Sequence, residues 1–561
     1  MRFQVNLLNI FVAVMLICCW TGCKNHHKVI QKEIVKTPEE MDDEVADNIK
    51  ASLLFAKDNS GKINDLIRLS QYGLVNSFYQ QNNFKNVWSH KEKWTPQADS
   101  MFAFIGNCKY YGLYPADYHF QVLNDLRNGI INDTLALKDA ITWTKADLTL
   151  SDAFMKILKD LKEGRLIADS VSISEKRNYI DSFFVKNLND VNGINVSAFF
   201  DGVEPVNTNY QALKNLLKNF VDSMDTKTYL YINYPYKDSL TFFANIHKRL
   251  GQSGFGDSSI KMPDSVMMSK EIKKYQAKHH LLADGKIGPK FIKTMNANDN
   301  EKFKRIAINL DRYKQLPALP ETYIWVNLPG FYLKVIDSDT VVLESKVIVG
   351  KPDTRTPTLI SAITDMVTYP QWTMPESIIK KDILPELKKN PGYLAIKGFS
   401  LLDSKGNEVN PYTIKWSKYT KGIPWKVVQG SGDDNALGIF KFNFNNPYSV
   451  YLHDTNQRYL FKNAERDLSH GCVRVQNWEA LAYYIARNDS MAVEDGRPLS
   501  YNTDSIKSWI AIKSRKRIMV KKRLPLFIEY FTCDIRKNKI IFYDDIYNED
   551  RALTQKYFAG K

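Results

Sequence analysis

The sequence predicts an α+β protein of several domains, helical in its first half and β-rich after about residue 323. Three observations support this fold class. A chain of 561 residues is too long for one hydrophobic core. Apolar residues recur three and four apart in "ADLTLSDAFMKILKDLKEGRL" (146–166), whereas "YIWVNLPGFYLKVID" (323–337) alternates and turns at Pro329–Gly330. The hydrophobic fraction of 44% and the charged fraction of 25% are those of an ordinary globular protein.

The N-terminus predicts export. "MRFQVNLLNIFVAVMLICCWTGCKN" has one arginine, an apolar run shorter than the roughly 20 residues of a membrane span, and small residues before Cys23. Because "TGC" resembles a lipobox, we expect a signal peptide over 1–22, a lipid on Cys23 and a polar tether over 23–48. An uncleaved anchor or an ordinary signal peptide would export the body equally. The expected location is the periplasm, as a membrane-anchored lipoprotein.

The net charge of +15 suits nucleic acid, an anionic membrane surface or an anionic wall polymer, and does not choose among them. The densest basic run, "KSRKRIMVKKR" (513–523), is interrupted by apolar residues, which favours a strand with a solvated face over a nucleic-acid-binding tail. We therefore expect no nucleic-acid partner. Beyond the export segment the cysteines are Cys108, Cys472 and Cys533, an odd number that leaves at least one free thiol in an oxidising compartment.

"DLSHGCVRVQNW" (467–478) is the stretch whose residue types most clearly indicate a reactive site. A cysteine nucleophile needs a base, donors for an oxyanion and partial exposure. His453, in the strand-like "YSVYLHD", precedes Cys472, and Gly471 allows a sharp turn. Arg474 would point to the same side of a strand as Cys472, where it could tether the loop or favour the thiolate.

Other interpretations of these residues stay open at this point. His453, His470 and Cys472, with Asp454 or Asp467, make a conceivable zinc site, although the chain has no C-x-x-C motif. A buried, inert thiol is the simplest alternative. A papain-like hydrolase is disfavoured because its cysteine precedes its histidine in the chain.

The residues also carry a family resemblance. "YLHDT" (451–455) and "RDLSHGCVRVQN" (466–477) resemble the signature of L,D-transpeptidases with a YkuD-type catalytic domain, and "WVNLPGFYLKV" and "VIVGKPDTRTPTL" match in order. Together with "GLYPADYH" and "SDAFMKILKDLKEGRL", the chain resembles the large, multidomain, YcbB-like subclass. The resemblance implies a helical scaffold over 49–230, a β-rich catalytic domain over 301–504 with a lid insertion at about 368–428, and a C-terminal segment, 505–561, packing on the scaffold.

"SKEIKKYQAKHHLLADGKIGPKFIKTMN" (269–296) resembles a second family, the small peptidoglycan-binding helical domain. His280 stands where that family commonly has glycine, and Phe291 where it has threonine. The resemblance implies a wall-binding helical domain over 231–300.

The family resemblance implies specific roles at the site. Cys472 is expected to be the nucleophile and His453 the proton acceptor and donor, with backbone N–H groups around Gly471 and Cys472 in the oxyanion hole. Asp454 or a backbone carbonyl would orient the imidazole. No metal and no cofactor is expected. The supporting loop residues are Ser469, His470, Gly471 and Arg474, and the candidate substrate-binding residues are Tyr451, Trp372 and Trp425.

The implied function is peptidoglycan L,D-transpeptidation, with tetrapeptide stems as donor and acceptor. A Cys472 thioester forms with release of D-Ala and is resolved into a 3→3 cross-link; carbapenems are the expected inhibitors. An L,D-carboxypeptidase that trims stems and a non-catalytic wall-binding scaffold are the alternatives. The preferred acceptor, the membrane that holds the lipid, a Cys108–Cys533 pairing and the oligomeric state do not follow from the sequence.

Overall fold

The computed structural model describes residues 33–166, 179–191, 195–256, 264–279, 281–491 and 500–558. The expected signal peptide, the lipidation site Cys23 and the start of the tether lie outside these residues. None of the helices in the described ranges is long and apolar enough to cross a membrane. The chain divides into two compact units.

The first unit consists of the described residues up to Ala103 together with Tyr118–Lys156 and described parts of Val185–Val196, and it is mainly helical. Its first helix begins at Pro38, inside the segment expected to be a tether, so that expectation was wrong from this residue onward. The reason is a stripe of buried apolar residues that lie four or three positions apart and so share one face of a helix. They are Met41, Val45, Ile49, Leu53 and Ala56. The elements lying mostly in this unit are α1 Pro38–Asp58, α2 Tyr72–Gln81, β1 Ser89–His90, β2 Lys93–Trp94, α3 Pro96–Asn107, α4 Phe120–Asn132, α5 Thr134–Leu137 and α6 Ala140–Lys162.

The second unit includes Ser197–Lys561 and begins with helices. The next helices along the chain are α7 Asp181–Asn189, α8 Val196–Val203, α9 Thr208–Ser223, α10 Ser239–Gln252, α11 Ser265–Lys278, α12 Pro289–Asn296 and α13 Asp299–Gln315. Helices α10, α11 and α12 surround a small core of their own that includes Phe242, Ile272 and Phe291. This three-helix cluster occupies the range expected for the wall-binding domain.

A closed β-sheet forms the centre of the second unit. Its strands and those of the smaller sheets are β3 Thr322–Asn327, β4 Tyr332–Asp337, β5 Thr340–Gly350, β6 Leu359–Thr368, β7 Trp372–Thr373, β8 Phe399–Leu402, β9 Lys426–Gln429, β10 Phe440–Phe444, β11 Leu452–His453, β12 Asp467–Ser469, β13 Val473–Val475, β14 Arg517–Met519, β15 Pro525–Glu529, β16 Cys533–Arg536 and β17 Lys539–Phe542. The order is β10-β11-β13-β5-β4-β3-β15-β6, and β6 pairs back with β10, which closes the ring. Alternate residues such as Phe440, Phe442 and Leu452 fill the core, so the residues between them face away from it.

The C-terminal segment belongs to this sheet. Strand β15 lies between β3 and β6, and β14 pairs with β6. Helix α17 (Trp478–Met491) packs its Leu481 and Ile485 on the sheet core, and α18 (Thr503–Ala511) and α19 (Glu549–Tyr557) follow it. Cys533 and Phe558 of the segment expected over 505–561 share a core with residues of α9, from the range assigned to the scaffold, and other residues of the segment complete the large sheet.

The expected lid insertion, 368–428, folds around its own core. Strands β7, β9 and β8 form a three-stranded sheet beside the short helices α14 (Glu376–Ile378), α15 (Leu384–Lys389) and α16 (Tyr393–Ile396). A single π-helical turn, Ile379–Ile383, joins α14 to α15. Leu387, Leu401 and Trp416 are buried in the centre of the insertion.

Candidate active site

Strand register brings the predicted catalytic residues together. On β11, His453 stands opposite Lys441 of β10 on one side and opposite Arg474 of β13 on the other. Side chains directly opposite each other in a sheet share a face and lie within contact reach. His453 is therefore the middle member of a row, Lys441–His453–Arg474, on the face that points away from the core.

Cys472 lies beside this row. It directly precedes β13, and the next N–H, of Val473, donates to the Tyr451 carbonyl at 3.1 Å, so Cys472 is adjacent to Tyr451. Because side chains two apart on a strand share a face, Tyr451 and Cys472 line up beside His453 and Arg474. The Cys472 sulfur lies 3.9 Å from the Ser449 carbonyl oxygen, and the residue is partly exposed, unlike the buried free thiols Cys108 and Cys533.

His453 is held as a neutral imidazole. Burial, followed by the positive charges of Arg474 and Lys441, lowers its pKa to about 3, against a smaller opposing effect of nearby backbone groups. His453 is 4% exposed, and its ring Nδ1 has no hydrogen-bond partner among the described residues. A neutral ring with an unengaged nitrogen is ready to accept a proton throughout the physiological pH range.

The Cys472 thiol is protonated at rest. Burial raises its pKa, while the Tyr451 backbone and phenol and the charges of Lys441 and Arg474 act in the opposite direction. A thiolate would require a base to take the proton, and the charges of Lys441 and Arg474 favour that form.

The loop that carries Cys472 is fixed by hydrogen bonds from a neighbouring turn. The Ser469 hydroxyl donates to the Cys472 carbonyl at 2.6 Å, and the Thr356 hydroxyl donates to the Gly471 carbonyl at 2.8 Å. Gly471 has φ +115°, a backbone region that only glycine adopts readily. Thr354 and the Lys351 N–H both donate to the Ser469 carbonyl. This turn was not singled out in the sequence, although its "KPDTRTPT" letters belong to the matched pattern.

The two backbone N–H groups expected to form an oxyanion hole differ in their hydrogen bonding. The Gly471 N–H already donates to the Ser469 hydroxyl oxygen at 3.2 Å. Within the described chain no hydrogen bond is formed by the N–H of Cys472. The Cys472 N–H is therefore the better candidate for an oxyanion donor.

His470 and Arg474 have different surroundings. The His470 ring lies 3.1 Å from a carboxylate oxygen of Asp382 on the π-helical turn of the lid and is 41% exposed, so it is engaged away from the thiol. Arg474 donates to the Gln457 side chain at 3.1 Å. Burial lowers the pKa of the Arg474 guanidinium, and the thiolate form of Cys472 would oppose that effect.

The Asp454 backbone acts on the His453 imidazole and raises its pKa, but the Asp454 carboxylate has other partners. Its carboxylate accepts from Arg458 at 2.6 Å and from the Ile439 N–H at 3.1 Å. Since successive strand residues alternate in direction, Asp454 points away from the face that carries His453. The Asp454 carboxylate thus links the residue before β10 to the segment that follows β11.

Of the candidate substrate-binding aromatics, Tyr451 and Trp372 are at the site. The Tyr451 ring packs edge-on to His453 at 5.5 Å between centroids. Burial raises the pKa of the Tyr451 phenol, and the Trp372 side chain is a neighbour that opposes this effect. Trp425 packs against Trp416 and Tyr419 within the insertion. The structure therefore does not bring Trp425 to the thiol.

Lys441 is the residue that the sequence analysis missed. Its ammonium lies 3.9 Å from the centroid of the Tyr451 ring. The available signal was weak, because a lysine in "GIFKFNF" has the spacing of any solvated strand residue.

As for the zinc alternative, the described residues contain no group of three or more histidine, cysteine or carboxylate ligands arranged to hold a metal ion.

Comparison with known proteins identifies two regions of the chain. Residues 321–493 match the L,D-transpeptidase catalytic domain (YkuD), and residues 73–217 match a scaffold domain. The chain thus contains an L,D-transpeptidase catalytic domain within a large multidomain architecture.

The chain is also similar to a putative L,D-transpeptidase of Haemophilus influenzae, with 33% identity over 266 residues, 47% of this chain and 51% of the relative. The chain thus spans about half the length of this curated relative. Among solved structures it is similar to the Ldtfm–avibactam carbamoyl enzyme (14% identity, TM-score 0.17, covering 38% of this chain and 51% of the other). It is likewise similar to a cysteine-to-serine mutant of the Enterococcus faecium L,D-transpeptidase (13% identity, TM-score 0.18, covering 38% and 52%). TM-scores this low establish no shared architecture.

Proposed function

We propose that this protein is a peptidoglycan L,D-transpeptidase that forms 3→3 cross-links through a thioester on Cys472 with release of D-Ala. The observation that supports this most directly is a neutral, buried His453 on the strand next to a partly exposed thiol, in a domain matching the L,D-transpeptidase catalytic family. Donor and acceptor are the tetrapeptide stems of the wall.

The proposed acylation uses His453 as the base. The Cys472 thiol gives its proton to the neutral imidazole of His453, and the sulfur bonds to the carbonyl carbon of the third stem residue. The Cys472 N–H faces the developing oxyanion. The bond between that carbon and the D-Ala nitrogen then breaks, and the imidazolium returns the proton to the leaving amine.

Deacylation uses the same base. The side-chain amine of a second stem attacks the thioester carbonyl, and His453 accepts the proton that this amine loses. The C–S bond breaks, and the thiolate recovers the proton from the imidazolium. Water in place of the amine would give the carboxypeptidase outcome, in which a tripeptide is released. A carbapenem would acylate the same sulfur.

The remaining parts of the chain suit work in the wall. A lipid on Cys23, a periplasmic location and a wall-binding role for the α10–α12 cluster would hold the enzyme near its polymeric substrate. The net charge of +15 suits a polymer with peptide carboxylates.

The test uses the chain lacking the export segment, incubated with disaccharide-tetrapeptide and analysed by mass. We expect a dimer lacking one D-Ala, absent with Cys472→Ala and with His453→Ala. Loss of D-Ala without a dimer would favour the carboxypeptidase. No acyl-enzyme with either substrate or carbapenem would leave the non-catalytic scaffold.

A further inference from the structure

Two cations, Lys441 and Arg474, flank the reactive pair, and neither forms an ion pair with a carboxylate among the described residues. Arg474 donates to the neutral Gln457 side chain, and its Nε has no partner among the described residues. The carboxylate whose charge raises the pKa of Lys441, against the larger effect of burial, is that of Asp365. Asp365 is already bound by Arg517 at 3.0 Å and by Asn443 at 2.8 Å.

The position of Lys441 is also restrained. Its backbone is fixed opposite His453 by the β10–β11 pairing, and its ammonium rests on the Tyr451 ring. Tyr451 is in turn beside Cys472. A cation held over one face of an aromatic ring, with no paired carboxylate in the described chain, has donors left for an anionic ligand.

We propose that Lys441, with Arg474 on the other side of His453, forms an anion subsite that binds the terminal carboxylate of the donor peptide. This inference rests on the proposed function and adds a specificity residue to it. Lys441 contacts the departing residue and does not act on the scissile bond itself.

Covalent geometry makes the carboxylate the appropriate ligand. In a donor that ends one residue after the attacked carbonyl, the carboxylate carbon is three bonds from the carbonyl carbon, roughly 4 Å away. A longer peptide presents a neutral amide at that point. A cation there therefore selects bonds next to a chain terminus, and it also disfavours donors whose last residue is amidated.

The first test needs no wall substrate. Cys472 is alkylated in parallel with iodoacetate and iodoacetamide, which differ by one negative charge, and the rate ratio is normalised to that of N-acetylcysteine. A change in thiol pKa affects both reagents alike and cancels in the ratio. We expect the protein to favour iodoacetate, Lys441→Gln to lower the ratio about tenfold, and Lys441→Arg to keep most of it.

Lys389→Gln, on the exposed surface of the lid, removes the same charge elsewhere and should leave the ratio unchanged. Melting temperatures establish that each variant is folded, and Lys441→Met replaces Lys441→Gln if the latter is not. An unchanged ratio in a folded Lys441→Gln or Lys441→Met protein would overturn the subsite.

The second test separates the subsite from the reaction. Acyl-enzyme formation is measured with a tetrapeptide ending in a carboxylate and with its C-terminal amide, which contains the same scissile bond. We expect the parent to prefer the acid and Lys441→Gln to lose that preference. Equal acylation of the parent by both peptides refutes the subsite and leaves the transpeptidase intact, whereas acylation by neither refutes the proposed function.

Discussion

Replacing Arg474 with Gln should raise the pKa of His453. In the parent, burial and the Arg474 charge keep this pKa at about 3. Opposite residues in adjacent strands put the two charge centres about 6 Å apart, and at an effective dielectric constant near 20 their repulsion is about 3 kcal/mol, or roughly two pKa units. Removing Arg474 should therefore move the pKa to about 5.

The sign of the effect on activity follows directly. A histidine with a lowered pKa is neutral above that value, so the base is lost only as the pH falls through about 3 in the parent. The acid limb of carbapenem acylation should therefore lie well below 6.5, and Arg474→Gln should shift it upward. The measurement is the single-turnover acylation rate from pH 3.5 to 8, beside NMR titration of the carbon-13-labelled imidazole.

Arg487→Gln is the matched control, since Arg487 is an exposed arginine on α17. It should leave the His453 pKa unchanged. A parent in which His453 titrates near 6.5, or an Arg474→Gln protein whose imidazole titrates as in the parent, would refute the electrostatic account of this row.

Three further substitutions test the loop and its surroundings. Gly471→Ala puts a side chain at φ +115°, which costs about 1–3 kcal/mol, so thiol acylation should fall in a protein that still folds; an unaffected rate would show that this backbone shape is dispensable. His470→Ala breaks the contact with Asp382 but should leave alkylation of Cys472 by iodoacetamide within a few-fold of the parent, and abolished reactivity would make His470 the base. Asp454→Asn weakens the pair with Arg458 and should lower the melting temperature with less than about a tenfold loss of acylation, whereas a loss near 10⁴-fold would indicate a triad carboxylate.

Local sequence was enough to propose the two reacting groups. Cys472 and His453 could be proposed because the requirements of a thiol nucleophile are chemical: a base, a turn and donors. The pattern also placed His453 on a strand beside the cysteine, and β11 and β13 are adjacent and parallel. The change from helical to alternating periodicity near residue 323 likewise located the strands.

Long-range pairing was beyond the sequence. Strand β15 is parallel to β3, about 200 residues earlier in the chain, and no local pattern encodes that register. An apolar run such as "LPLFIEYF" (524–531) predicts a buried strand but does not indicate which strands pair with it. The expected tether failed for the opposite reason. Between its many polar residues, an apolar residue recurs every four positions. This pattern is recognised only when Met41 and Val45 are considered together with Ile49 and Leu53.

The role of Lys441 shows why a row across strands differs from a motif along one strand. The sequence separates Lys441 from His453 by 12 positions and from Arg474 by 33, yet pairing makes the three neighbours. A carboxylate in this row would raise the His453 pKa and neutralise Lys441 at once. Asp454 is one residue from His453, and strand alternation turns it to the other face, where Arg458 binds it. The same row can therefore keep its base neutral and its cations available for an anionic substrate, which links the pH profile and the carboxylate preference to one arrangement.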